Sequence, residues 1–168
     1  MKQAISFLLV LICLLYLPGC NSAEDVKSAN FYYVRNSYVY GRGDGVMAAE
    51  IRSIEEFCND QEILREYMYG PQDTSLASPF PAGIEIKNFT RKEDTLYVTL
   101  SAHIVTLPKA KQVLACACLA RTAMELTGAK SVHFQTDDTD FARMEPLFID
   151  ENSILLYDDY NSPVPNEP

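Results

Sequence analysis

Cysteine, histidine and clustered aspartate are the side chains in this sequence whose types and spacing could support chemistry. Cysteines stand at Cys13, Cys20, Cys58, Cys116 and Cys118, histidines at His103 and His133, and carboxylates cluster at Asp137, Asp138 and Asp140. A nucleophilic thiol would need one of the histidines beside it as a base, and Cys118 is the best placed of the candidates. The two histidines are about thirty residues apart, a spacing unlike that of zinc sites, so they read as structural or surface residues. The aspartates lack the turn glycine and the bidentate glutamate of a calcium loop and read as a solvated loop. No catalytic residue, metal ligand or cofactor is therefore expected. Cys116 and Cys118, two apart on a helix, point about 200° from each other and cannot readily pair; Cys58, Cys116 and Cys118 together allow at most one internal bridge and otherwise read as small buried hydrophobes.

Cys20 has a different context. Lys2 precedes an apolar run over residues 4–17, and Leu17-Pro18-Gly19 leads into the cysteine. A positive end, a short apolar stretch and small residues before a cleavage point form an export signal. The run is about fourteen residues where a bilayer crossing takes roughly twenty, which argues against a permanent span. The four residues ending at Cys20 are similar to the lipobox of bacterial lipoproteins, with a branched apolar residue three positions before the cysteine and a small one directly before it. At that position a thiolate attacks the headgroup ester of a phospholipid and leaves a diacylglyceryl thioether, and two acyl chains anchor stably. Residues 1–19 are thus expected to be a lipoprotein signal peptide, and residues 20–29, polar and without apolar period, a flexible tether.

Charge limits the partners. The chain has 14 basic and 23 acidic side chains and a formal charge of −9. Removing residues 1–19 takes away one lysine and no carboxylate, which moves the charge to −10. Such a surface is repelled by nucleic acid and by anionic lipid headgroups, so the acyl chains must do the anchoring.

The elements that would position these residues form one domain over residues 30–158. Residues 31–40 are rich in aromatic and β-branched side chains and run into Gly41-Arg42-Gly43-Asp44-Gly45, predicting a hairpin with residues 46–54. Ser53 and Glu56 have capping-box spacing ahead of a helix that carries Phe57, Leu64 and Met68 on one face and stops at Gly70-Pro71. A Ser- and Pro-rich loop covers residues 72–83, and residues 84–89 and 96–101 alternate as a second hairpin. The strongest helix spans residues 107–127, capped by Thr106 and closed by Gly128. Val113, Ala117, Ala120 and Met124 form its apolar stripe, which predicts a buried Cys116 and a more exposed Cys118. Residues 131–136 read as a strand, 146–150 with 153–157 as a last hairpin, and 159–168 as a disordered tail. The fold class is α+β, a mixed sheet with two helices on one face and a C-terminal hairpin.

The chain resembles the GerMN domain, a module named for spore germination and found in lipoproteins of spore-forming and related Gram-positive bacteria. The resemblance covers residues 30–136. It rests on the helix at 63–69 closed by Gly70-Pro71, on Phe80-Pro81-Ala82-Gly83 leading into Ile84-Glu85-Ile86, on Leu96-Tyr97-Val98-Thr99-Leu100-Ser101, and on Arg121-Thr122-Ala123-Met124-Glu125-Leu126 followed by Val132-His133-Phe134. It implies a ring-building-motif-like α+β module that acts by association with other envelope proteins and carries no catalytic residues. Thr136-Asp137-Asp138 replaces the glycine usual after the last strand of the family, and one copy stands where some members have two.

The expectation is a noncatalytic lipoprotein of the cell envelope, in sporulation or germination, tethered by Cys20 to the outer face of the cytoplasmic membrane and binding an envelope protein. Tyr32, Tyr38 and Tyr40 are the candidate partner surface, because strand alternation sends some of this aromatic run outward. The alternative is a small-ligand or ion-binding lipoprotein.

Overall fold

The computed structural model describes residues 27–36, 45–57, 59–137 and 144–158. Cys20, Tyr38, Tyr40, Cys58, Asp138 and Asp140 lie outside these residues, as do the expected signal peptide, most of the expected tether and the tail. The first strand, β1 (Ser28–Arg35), starts two residues before the expected domain boundary, so Ser28 and Ala29 are strand and not tether. Phe31 and Tyr33 are fully buried while Tyr32 and Val34 are half-buried, the alternation of a strand with two different faces. It pairs antiparallel with β2 (Met47–Ser53), with Phe31 opposite Glu50 and Tyr33 opposite Ala48, which is the expected hairpin.

Helix α1 (Asp60–Met68) is capped by Asn59, whose side chain accepts from the Glu62 N–H at 3.0 Å. This corrects the expected Ser53/Glu56 capping box. Ser53 is held in the β2 ladder opposite Ser28, so the helix starts only after the chain has left the sheet. Its buried face carries Ile63, Leu64 and Tyr67. The stretch after it is not wholly loop: β3 (Leu76–Ala77) pairs with the end of β1 and completes a sheet of order β2-β1-β3.

Strands β4 (Ile86–Lys92) and β5 (Thr95–Leu100) make the second hairpin around Glu93 and Asp94. A short 3-10 turn (Ala102–Thr106) then leads to helix α2 (Lys109–Thr127) and strand β6 (Ser131–Thr136). Because β5 and β6 run parallel, the chain needs a crossover between them, and α2 is that crossover. Thr106 does not cap α2 as expected; its hydroxyl donates to the His103 carbonyl at 2.8 Å and closes the 3-10 turn, while Pro108 takes the helix start without a side-chain cap. The exit is as expected, with Gly128 left-handed at φ 68°.

Strand β7 (Leu147–Asp150) completes the second sheet, order β4-β5-β6-β7, and helix α3 (Glu151–Asp158) follows it at once. The C-terminal hairpin is therefore corrected to strand and helix. Asp150 accepts from the Ser153 N–H at 2.8 Å and from its hydroxyl at 2.7 Å, an N-terminal cap that turns the chain into a helix instead of a reversed strand. The class is α+β, with the strands divided between two sheets in place of the single one expected.

The division explains α2. The helix packs against β1 of the first sheet and against β6 and β7 of the second, so it is enclosed on two sides. Cys116, Ala117, Cys118, Leu119 and Ala120 are all fully buried, which overturns the expectation of an exposed Cys118. No helix among the described residues is long and apolar enough to cross a membrane.

Candidate functional site

Tyr32 is the member of the expected partner surface that the structure describes, and it is committed to the fold. β3 pairs only with the end of β1, so the edge of β1 at Tyr32 has no strand beside it. Side chains take its place. The Tyr32 N–H donates to the Thr122 hydroxyl at 2.9 Å, the Tyr32 carbonyl accepts from the Tyr67 hydroxyl at 2.9 Å, and the Thr122 hydroxyl in turn donates to the Cys118 carbonyl at 3.1 Å. The Tyr32 phenol donates to Glu125 at 2.6 Å, and the Arg121 guanidinium stands 4.4 Å from its ring centroid. Burial and the Glu125 bond push the phenol pKa up. A recess of about 380 Å³ beside it is lined by Tyr32, Arg121, Glu125, Lys130 and α3 residues.

The candidates for chemistry are dispersed. Cys116 and Cys118 are buried within α2, and burial raises the Cys116 thiol to about 12, far from the thiolate a nucleophile needs. His103 is exposed on the 3-10 turn. His133 sits on β6 with its ring edge-on to Tyr97, centroids 5.4 Å apart. Asp137 follows β6 and lines an open recess of about 600 Å³ with Thr99, Gln135 and Glu145. Among the described residues, no group of three or more His, Cys, Asp or Glu is placed to hold a metal ion.

The largest of these three recesses was not foreseen from the sequence. It is an open groove of about 780 Å³ between the C-terminal end of α1 and the start of β4. Phe80, Ile84 and Ile86 are buried beneath it, while Arg65, Tyr69, Glu85 and Lys87 form its rim. Tyr69 is 85% exposed, the most exposed large hydrophobic among the described residues. The readable signal was Tyr69 itself: it follows the last helical residue and precedes Gly70-Pro71, off the apolar stripe.

The sequence matches a family described as Germane, sporulation and spore germination, over residues 30–140. No curated protein matches it. A crystal structure from Clostridium perfringens, provisionally described as a lipoprotein, superposes with a TM-score of 0.40 at 19% identity, covering 71% of this chain and 85% of that one.

Proposed function

The chain belongs to the Germane family of sporulation and spore germination, and on that premise we propose that it is a noncatalytic interaction module of the bacterial cell envelope. A diacylglyceryl lipid on Cys20 holds it at the outer face of the cytoplasmic membrane, where it binds an envelope protein in sporulation or germination. The observation that carries this reading is the family match, which runs from the third residue of β1 through β6 and includes α1 and α2. The lipobox-like sequence ending at Cys20 supports the anchor.

The site geometry is consistent with binding. Catalysis by a thiol requires an accessible sulfur beside a base, and Cys118, the best candidate from sequence, is buried in the helix core. The three recesses described are half-open to solvent, a shape that a protein segment can enter. Open grooves with an exposed aromatic at the rim suit a protein partner.

Crosslinking of the lipidated chain in its native cells tests the proposal. We expect a covalent adduct with at least one envelope protein, lost when the crosslinker is quenched beforehand. A chain that remains monomeric and forms no adduct would count against an interaction module. A hydrolytic activity abolished by replacing His103, His133 and Cys118 would replace it with an enzyme.

A further inference from the structure

We propose that the groove between α1 and β4 is the docking site of this module, and that it takes a segment of an envelope protein presenting an apolar side chain flanked by carboxylates. This rests on the interaction-module reading and names its surface and the chemistry of its partner.

The shape comes first. Phe80 and Ile84, 4% and 5% exposed, give the groove an apolar floor, and Tyr69 stands at its rim almost fully in solvent. An exposed aromatic beside an apolar recess is where interfaces concentrate their energy. The groove is also preformed. Pro79 and Pro81 fix the backbone on both sides of Phe80. The Ser78 hydroxyl accepts from the Phe80 N–H at 3.2 Å and donates to its carbonyl at 2.9 Å, and Ser101 accepts from the Glu85 N–H at 3.1 Å. A partner binding here orders little of this chain, so more of the contact energy appears as affinity.

Charge selects the partner. In a chain of net charge −9 the rim bears two cations, Arg65 and Lys87, against one carboxylate, Glu85. Lys87 is paired with Glu85 at 2.7 Å, whereas the exposed side chain of Arg65, in the last turn of α1, makes no ion pair or hydrogen bond with another described residue. Arg65 is thus an exposed guanidinium suited to a carboxylate, which it grips through two parallel bonds. A polyanion such as nucleic acid would meet the repulsion of the whole acidic surface. A short acidic segment meets chiefly the local charge, within a screening length of roughly 8 Å. Strand addition is not offered at the same place: β4 is an edge strand, but it has a register shift between Ile86 and Asn88 and carries Lys87, Arg91 and Lys92, features that discourage edge pairing.

The whole chain, solubilised in detergent, should be presented to a displayed library of random heptapeptides, with the selected peptides then measured by fluorescence polarisation. We expect peptides with an aromatic or aliphatic residue next to Asp or Glu, bound tenfold or more weakly by Arg65→Glu and about fivefold more weakly by Tyr69→Ala. Both residues are exposed, so circular dichroism should show both variants folded. Selection of no binder, or of binders indifferent to Arg65→Glu and Tyr69→Ala, would overturn the groove. So would self-association lost on Phe148→Ala, which would give the groove to the exposed Phe148 of a second copy, with Glu145 and Glu151 three residues away on either side in sequence. In cells, a photo-crosslinking residue at position 69 should trap a partner and one at position 148 should not. Trapping only at position 148 would refute the groove and keep the interaction module; trapping at neither would refute both.

Discussion

Tyr33 and Tyr67 stack with ring centroids 4.8 Å apart and planes 2° from parallel, and the Tyr33 hydroxyl donates to the Tyr67 carbonyl at 3.0 Å. Tyr67 in turn donates to the Tyr32 carbonyl, so helix α1 and strand β1 are joined by two phenols in opposite directions. Phe31 and Phe80 both meet the Tyr67 ring edge-on. These contacts fasten the first sheet to the helix that forms one wall of the groove.

The two phenols make the fold sensitive to alkali. Burial holds the pKa of Tyr33 and Tyr67 well above the ordinary 10.0, and burial raises the Cys116 thiol from 9.0 to about 12. A group whose pKa is raised on folding keeps its proton in the native state at pH values where the unfolded chain has lost it. The stability it contributes is intact below the unfolded pKa and is lost as pH rises toward the folded one. Urea denaturation should therefore give a level midpoint up to about pH 9 and a falling one above it, with a shallower alkaline fall in Tyr67→Phe. An equal fall in that variant would show that Tyr67 does not contribute.

Thr122 should matter beyond its size. Its hydroxyl is the acceptor for the Tyr32 N–H at the unpaired edge of β1. Thr122→Val keeps the volume and leaves that donor unsatisfied, which costs about 1–3 kcal/mol. Thr122→Ser keeps the acceptor and should cost less in the same denaturation experiment. A valine variant as stable as wild type would contradict the edge-sealing role.

Arg52 and Glu50 form a buried pair on β2, their side chains 7% and 10% exposed. Arg52 also donates to the Gly70 carbonyl at 2.6 Å and lies 4.9 Å from the Phe31 ring centroid, while Glu50 accepts from the N–H groups of Gln72 and Asp73. Removing one charge strands the other, so Arg52→Met should destabilise by about 3–5 kcal/mol. The double variant Glu50→Gln/Arg52→Met should be less damaged than the sum of its single variants in a denaturation cycle. Additive losses would show the pair to be uncoupled.

The legible parts of this fold are those set by local pattern. The two hairpins, the exit of α2 at Gly128 and the burial of Cys116 follow from alternation, turn residues and helical period. The unread parts depend on tertiary context. Cys118 lies opposite the stripe of α2, and the packing of that helix against two sheets instead of one buries it. Ser153 lies in a strand-like run, and the Asp150 carboxylate that caps it decides for helix. Tyr32 belongs to an aromatic run that suggests a surface, yet an unpaired strand edge draws it onto α2. The groove joins residues from Arg65 to Lys87 across a helix, a proline loop and a strand, and no spacing in the chain announces that convergence.

The proposed membrane anchor stands on Cys20, whose lipid would place the domain at the membrane. Its direct test is fractionation of cells expressing the wild-type chain or Cys20→Ala, with the apparent mass of each product. We predict that the wild type sediments with membranes as a processed form, and that Cys20→Ala is either released to the soluble fraction or left with its signal uncleaved. Normal processing together with normal membrane retention of Cys20→Ala would contradict the lipid anchor.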